Sequence, residues 1–188
     1  CPTCASLTLI SYRHTWDSTD MEWPGPADWP VVFYMDPHQK RPTACWWVKI
    51  DPDDQAWGIS AQRIPGDALV VKRVCEEFEG RYGLTPLYRI GDPKITAQGN
   101  QFAKTHEGQD FNIRTAFEEV GFNFVDANTN FTVARNRALR AFEPDPGTKA
   151  PLIRVHGEHC RDMVYELQRF TWDEGARREN QNVKEQPA

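Results

Sequence analysis

Short apolar runs closed by turn-forming residues set the rhythm of the chain. Val31-Val32-Phe33-Tyr34-Met35 is continuous, rich in β-branched and aromatic side chains, and ends in Asp36-Pro37. Such a run predicts a central strand covered on both faces. Proline has no N–H for a sheet ladder, so pairing should stop at Asp36. Pro86-Leu87-Tyr88-Arg89-Ile90-Gly91 repeats the design and closes in Asp92-Pro93.

The remaining periodicity fills in the elements between and around these two strands. Leu7–Tyr12 reads as a strand, and Trp23-Pro24-Gly25-Pro26 as turn chemistry leading into the first core strand. Thr43–Ile50 and Gln55–Gln62 flank the turn Asp51-Pro52-Asp53-Asp54, which predicts an antiparallel meander of three strands. Asp67 is placed to cap a helix carrying Leu69, Val70, Val74, Cys75, Phe78 and Tyr82 at helical spacing, with Gly83 as its stop. A helix between two strands is the usual route to a parallel pair, so the Asp92 strand should lie beside the Asp36 strand. Residues 93–110 read as a loop and 111–120 as a short helix stopped by Gly121. Phe122–Val125 reads as a strand. Asn130 or Thr132 caps a helix to Phe142, followed by a strand ending at Val155, a helix from His159 to Phe170 and a polar tail from Asp173. The predicted architecture is α/β: three antiparallel strands with parallel additions, in one mixed sheet flanked by helices.

Composition narrows the class. The chain has 188 residues, 12% aromatic with seven Trp, which suits one packed domain. No stretch approaches the roughly 20 apolar residues of a membrane span, and no signal-peptide pattern is present. The net charge of −5 counts against a generic nucleic-acid binder, though a tethered nuclease needs only a local basic patch. Cysteines stand at 1, 4, 45, 75 and 160, an odd count at irregular spacing that points to a reducing compartment. Cys45 and Cys75 sit in apolar patterns and read as core thiols. Cys1-Pro2-Thr3-Cys4 leaves two readings open. It is half a zinc site with His14 as a third ligand, or two ordinary thiols; a closed zinc site needs four ligands, which favours the second. Cys1 stands where a starting Met would, so the chain is expected to be a fragment, a processed product or part of something longer.

The chemistry follows from the two tipped strands. Ligands bind beyond the carboxyl ends of strands in an open α/β sheet. Asp36 and Asp92 would meet there. Two close carboxylates repel, and a divalent cation between them relieves the repulsion. Magnesium and manganese take oxygen ligands, and two such ions about 3.5–4 Å apart can carry phosphodiester hydrolysis. Asp36, on the more central strand, is the candidate to bridge both ions. Asp-Pro also occurs at Asp51 and Asp145, where it reads as turn chemistry; the preceding apolar strand sets Asp36 and Asp92 apart. His38, Lys94, Lys104, Arg135 and Arg137 are candidate DNA contacts, with His106 and Arg140 beside them, although a solvated loop or helix face is the commoner fate of such residues. Glu76, Glu77 and Glu79 lie on the first helix, where one could face the metals, but a charge run is expected to face solvent. No phosphate loop, dinucleotide fingerprint, HExxH or GxSxG motif is present.

The order and spacing of these segments resemble the nuclease domain of bacteriophage large terminase subunits. The resemblance is carried by Asp28-Trp29-Pro30 through His38, Pro42-Thr43-Ala44 with its Trp-rich strand, Ile90–Pro93, Phe117–Phe122, the Arg-bearing helix and the run from Leu152 to Trp172. It implies a ribonuclease-H-like fold and metal-dependent cutting of concatemeric double-stranded DNA with two Mg or Mn ions. It matches Asp36 and Asp92 to the first two acids of that family. The family's third acid follows a segment like Val183–Pro187, which places it beyond Ala188. The resemblance divides the chain into an irregular segment 1–29 linking to an upstream ATPase domain, a nuclease domain 30–172 and a polar tail 173–188. It further implies the small subunit and the portal protein as partners, in the host-cell cytoplasm. Two competitors remain: a non-catalytic docking or DNA-binding module of the same fold, and another nuclease such as a junction resolvase.

Overall fold

In the computed structural model, residues 14–38, 41–92, 113–127, 133, 137, 140–148 and 150–169 are described. Among the described residues, seven strands form one mixed sheet: β1 (Thr15–Trp16), β2 (Val31–Asp36), β3 (Thr43–Ile50), β4 (Ala56–Ile64), β5 (Pro86–Gly91), β6 (Val125–Asp126) and β7 (Ile153–His156). Their order across the sheet is β1-β7-β4-β3-β2-β5-β6. The predicted meander is present, with β2 antiparallel to β3 and β3 antiparallel to β4. The predicted parallel additions flank it: β5 beside β2, then β6, and on the other side β7 beside β4, then β1.

Helix α1 (Ala68–Tyr82) makes the crossover from β4 to β5. Its ends follow the sequence signals. The Asp67 carboxylate accepts from the Val70 N–H at 3.0 Å, and Gly83 closes the helix at φ 63°, a conformation that favours glycine. One face of the sheet packs on α1 and on α2 (Ile113–Glu119). Val31, Phe33, Met35, Cys45, Trp47 and Ile59 meet Val71, Cys75, Ile113 and Phe117 there, all buried. The other face carries a smaller cluster in which Val155 and Cys160 pack with Trp46, Ala61 and side chains of α3 (Arg161–Arg169). No helix among the described residues is long and apolar enough to cross a membrane.

Several expectations need correction. β2 is not covered on both faces: Val31, Phe33 and Met35 are buried, but Tyr34 is 39% exposed. The reason is uneven cover, since α1 and α2 pack on one face while α3 packs on the other near β4. The strand expected over Phe122–Val125 contributes only Val125–Asp126. The Phe122 N–H closes the end of α2 by donating to the Phe117 carbonyl at 2.8 Å, and Gly121 adopts φ 72°. Phe122 and Phe124 are thereby spent on the core. Helix α3 begins at Arg161, not His159, because His156 Nδ1 accepts from the Glu158 and His159 N–H groups in a preceding turn. β1 had no sequence signal. It exists because Trp16 is buried against Trp57 and His156 and its indole donates to the Gly58 carbonyl. The strand expected at Leu7–Tyr12, the tail from Asp173, and Cys1 and Cys4 lie outside the described residues. His14 is buried, with Nε2 2.6 Å from the Phe142 carbonyl oxygen.

Candidate active site

The parallel ladder of β2 and β5 decides where the two acids stand. Phe33 pairs with Arg89, Tyr34 with Ile90 and Met35 with Gly91. The next residue on each strand is an aspartate: Asp36 ends β2 and Asp92 follows β5. Both leave the same rim of the sheet, at the carboxyl ends of adjacent strands, as the sequence predicts. Gly91 makes that approach tight. A Cβ there would lie 2.6 Å from the Phe124 ring, so the ring occupies the space that any other side chain would need. The Ala127 N–H donates to the Gly91 carbonyl at 2.8 Å and ties the chain after β6 to the same point.

The electrostatics at the rim are those of an acid pair. The partial burial of Asp36 pushes its carboxyl above the usual range, and the Asp92 charge adds to the rise; His38 opposes it. His38 is therefore close enough to act on Asp36, and it is exposed. Carboxylate oxygens and mutual repulsion together fit a divalent cation that takes oxygen ligands. Asp36 and Asp92 supply two such groups; among the described residues no set of three or more His, Cys, Asp or Glu side chains converges.

Beside Asp36, a cleft of about 270 Å³ opens between the sheet and α3, with Tyr34, Trp46, Arg63, Met163 and Glu166 in its walls. Tyr34 and Trp46 face each other across β2 and β3 with ring centroids 5.7 Å apart. Arg63 pairs with Glu166 at its edge.

The other candidates divide. Lys94, Lys104, His106 and Arg135 lie outside the described residues. Arg137 and Arg140 are helical and exposed, as a solvated helix face requires. Glu76 and Glu77 are exposed and lie 3.8 and 3.9 Å from Lys72 and Arg73. Glu79 departs from its neighbours: it is buried at 6% exposure. Its Oε1 accepts from the Trp47 indole at 3.0 Å, and its Oε2 pairs with the Arg89 guanidinium. The spacing held this information. Val71, Cys75 and Glu79 recur every four residues on the stripe of α1 that faces the sheet.

No family model and no curated protein matches the chain. Solved structures do. The large terminase of a thermophilic bacteriophage aligns over 95% of this chain and 40% of its own length, at 12% identity and a TM-score of 0.63. The P22 large terminase nuclease domain aligns over 86% of this chain and 75% of its own, at 13% identity and a TM-score of 0.53. This is the fold of a large-terminase nuclease domain. The mixed ribonuclease-H-like sheet expected of the chain is thus the one it has. Within the terminase fold, this chain spans about two-fifths of the thermophilic phage protein.

Proposed function

We propose that this chain is the metal-dependent nuclease domain of a viral DNA-packaging terminase large subunit, cutting concatemeric double-stranded DNA in the host cytoplasm. The observation that supports the reading best is the register of β2 and β5, which sets Asp36 and Asp92 side by side at one rim. Asp36 and Asp92 would hold two Mg or Mn ions, with a third acid from outside the described residues. When bound, such ions supply an activated water and charge stabilisation at the leaving oxygen. The chain's own part is to hold the two carboxylates close at one rim despite their repulsion. His38 is close enough to act on Asp36 and is exposed, so it is the proposed contact to a DNA phosphate beside that acid. Lys94, Lys104, Arg135 and Arg137 remain proposed backbone contacts to DNA. The ATPase domain of the same polypeptide, the small subunit and the portal are the proposed partners.

The test is Asp36→Asn in the full polypeptide, assayed on plasmid DNA with Mn²⁺. Cleavage should disappear while the circular dichroism spectrum and unfolding midpoint are kept. Nicking at the wild-type rate would refute the reading. The absence of a third converging ligand among the described residues, with the net charge of −5, favours one alternative, a non-catalytic module of the same fold. That module would show no stabilisation by Mn²⁺.

A further inference from the structure

Glu79 is the one buried carboxylate among the described residues, and no step of the proposed chemistry uses it. Its position is specific. Trp47, Phe33 and Arg89 form one row across three adjacent strands, with Phe33 in register with both of the others. Glu79 sits over that row from α1 and divides its two oxygens between the outer members, Trp47 on β3 and Arg89 on β5. The Arg89 guanidinium also lies 4.7 Å from the centre of the Phe122 ring and 5.8 Å from that of Phe33. One side chain therefore clamps the two strands on either side of β2.

The β2–β5 ladder needs such a clamp. A buried alternating pattern normally sets register, because a slip of one residue would turn every side chain to the wrong face. β5 lacks that pattern: Leu87 is 63% exposed and Tyr88 is 55% exposed. The ladder is also irregular at its start, between Val31 and Val32. A slip of one residue would carry Arg89 to the opposite face and leave the Glu79 charge buried alone. A slip of two would put Leu87 or Gly91 in its place. Both are penalised by burial of an uncompensated charge.

The row is three residues before Asp36 on β2 and three before Asp92 on β5. A one-residue slip would move Asp92 by about 3.3 Å relative to Asp36. That is nearly the roughly 3.5–4 Å that separates two metal ions in a paired site. We infer that Glu79 is a positioning residue: by holding Trp47 and Arg89 in one row it sets the register of β2 and β5, and so the spacing of Asp36 and Asp92. The inference rests on the reading of those two acids as metal ligands.

The test compares the wild-type polypeptide with Glu79→Leu/Arg89→Met. Apolar replacement of a buried ion pair often leaves stability unchanged or raises it, so stability and positioning can be separated. Three quantities are measured: the unfolding midpoint, Mn²⁺ affinity by electron paramagnetic resonance, and amide hydrogen exchange in β5. The expected result is a midpoint near wild type, Mn²⁺ binding at least ~10-fold weaker and β5 exchange at least ~10-fold faster, a tenfold change being about 1.4 kcal/mol. Wild-type values for both binding and exchange would overturn the inference. If the double variant does not fold, Glu79→Gln is measured in the same way well below its midpoint, and wild-type values there overturn it equally. Wild-type protein that takes up no Mn²⁺ sinks the metal reading alone, and β5 exchange then decides the register claim.

Discussion

Two carboxylates, one at the end of a strand and one on the helix that covers the same sheet, meet opposite fates. Asp36 stands at the rim, and Glu79 is packed between α1 and the sheet. Burial raises the carboxyl of each above its usual range. At Glu79 the rise is opposed by the Trp47 indole and the Arg89 guanidinium, with a small push the other way from Glu76. At Asp36 the second contribution is another acid, Asp92, which adds to the rise. The protein completes the surroundings of Glu79 with its own groups; on the proposed reading, a cation would complete those of Asp36. A completed buried acid holds the fold together; an acid beside an acid stores repulsion that a ligand can release.

Removing each acid should separate the two. Glu79→Ala leaves the half-buried Arg89 without its Glu79 partner and should cost about 3 kcal/mol, the lower end for a broken buried pair, because Arg89 keeps some access to water. Chemical denaturation measures this, and a loss below about 1 kcal/mol would erase the contrast.

The next effect belongs to the rim. Mn²⁺ at 100 times its dissociation constant should stabilise the wild type by about 2.7 kcal/mol and leave Asp36→Asn nearly unmoved. Without metal, the sign of the pH dependence is set by the raised Asp36 carboxyl. Below its ordinary value of 3.8, folded and unfolded chains both carry the proton and the acid pair costs nothing. As pH rises from there to the higher folded value, the unfolded chain ionises while the folded chain keeps its proton, and stability falls until the folded Asp36 has ionised too. The raised Glu79 carboxyl acts in the same direction. The difference between wild type and Asp36→Asn isolates the rim, and that difference should grow in favour of the variant as pH rises above 3.8, then level off once the folded Asp36 carboxyl has ionised.

A smaller loss is expected at the joint between the two regions. Gly91→Ala drives a methyl into the Phe124 ring and should cost about 1–3 kcal/mol by overpacking, with Mn²⁺ affinity reduced because the strain falls next to Asp92. The smallest effect is at Arg63. Its pair with Glu166 is exposed on both sides, at 54% and 53%, so Arg63→Ala should change stability by less than about 1 kcal/mol. A larger loss would mean that surface pairs matter here as much as the Glu79 clamp.

The same contrast explains what could be read in advance. The rim was legible because strands announce themselves locally: an apolar run, a carboxylate, then a proline that ends pairing. The crossover helix followed from Asp67, Gly83 and the spacing between them. Glu79 was misjudged because its neighbours Glu76 and Glu77 make a charge run, and composition outweighed the four-residue spacing that ties it to Val71 and Cys75. β1 could not be read, since two residues carry no periodicity and only the burial of Trp16 makes them a strand. Phe122 misled for the opposite reason: an aromatic alternation looks like a strand until its N–H is spent on capping a helix.

Local pattern alone therefore settled which segments became the core strands, where α1 starts and stops, and that an aspartate would tip each of two strands. Those outcomes depend on side-chain period and backbone geometry within a few residues. Tertiary structure alone decided that β5 would lie against β2 in the register that pairs Met35 with Gly91, that Glu79 would be buried, and that Tyr34 would remain half open. Register and burial are relations between distant segments, set by which contacts can be satisfied together, and no window of sequence contains both partners.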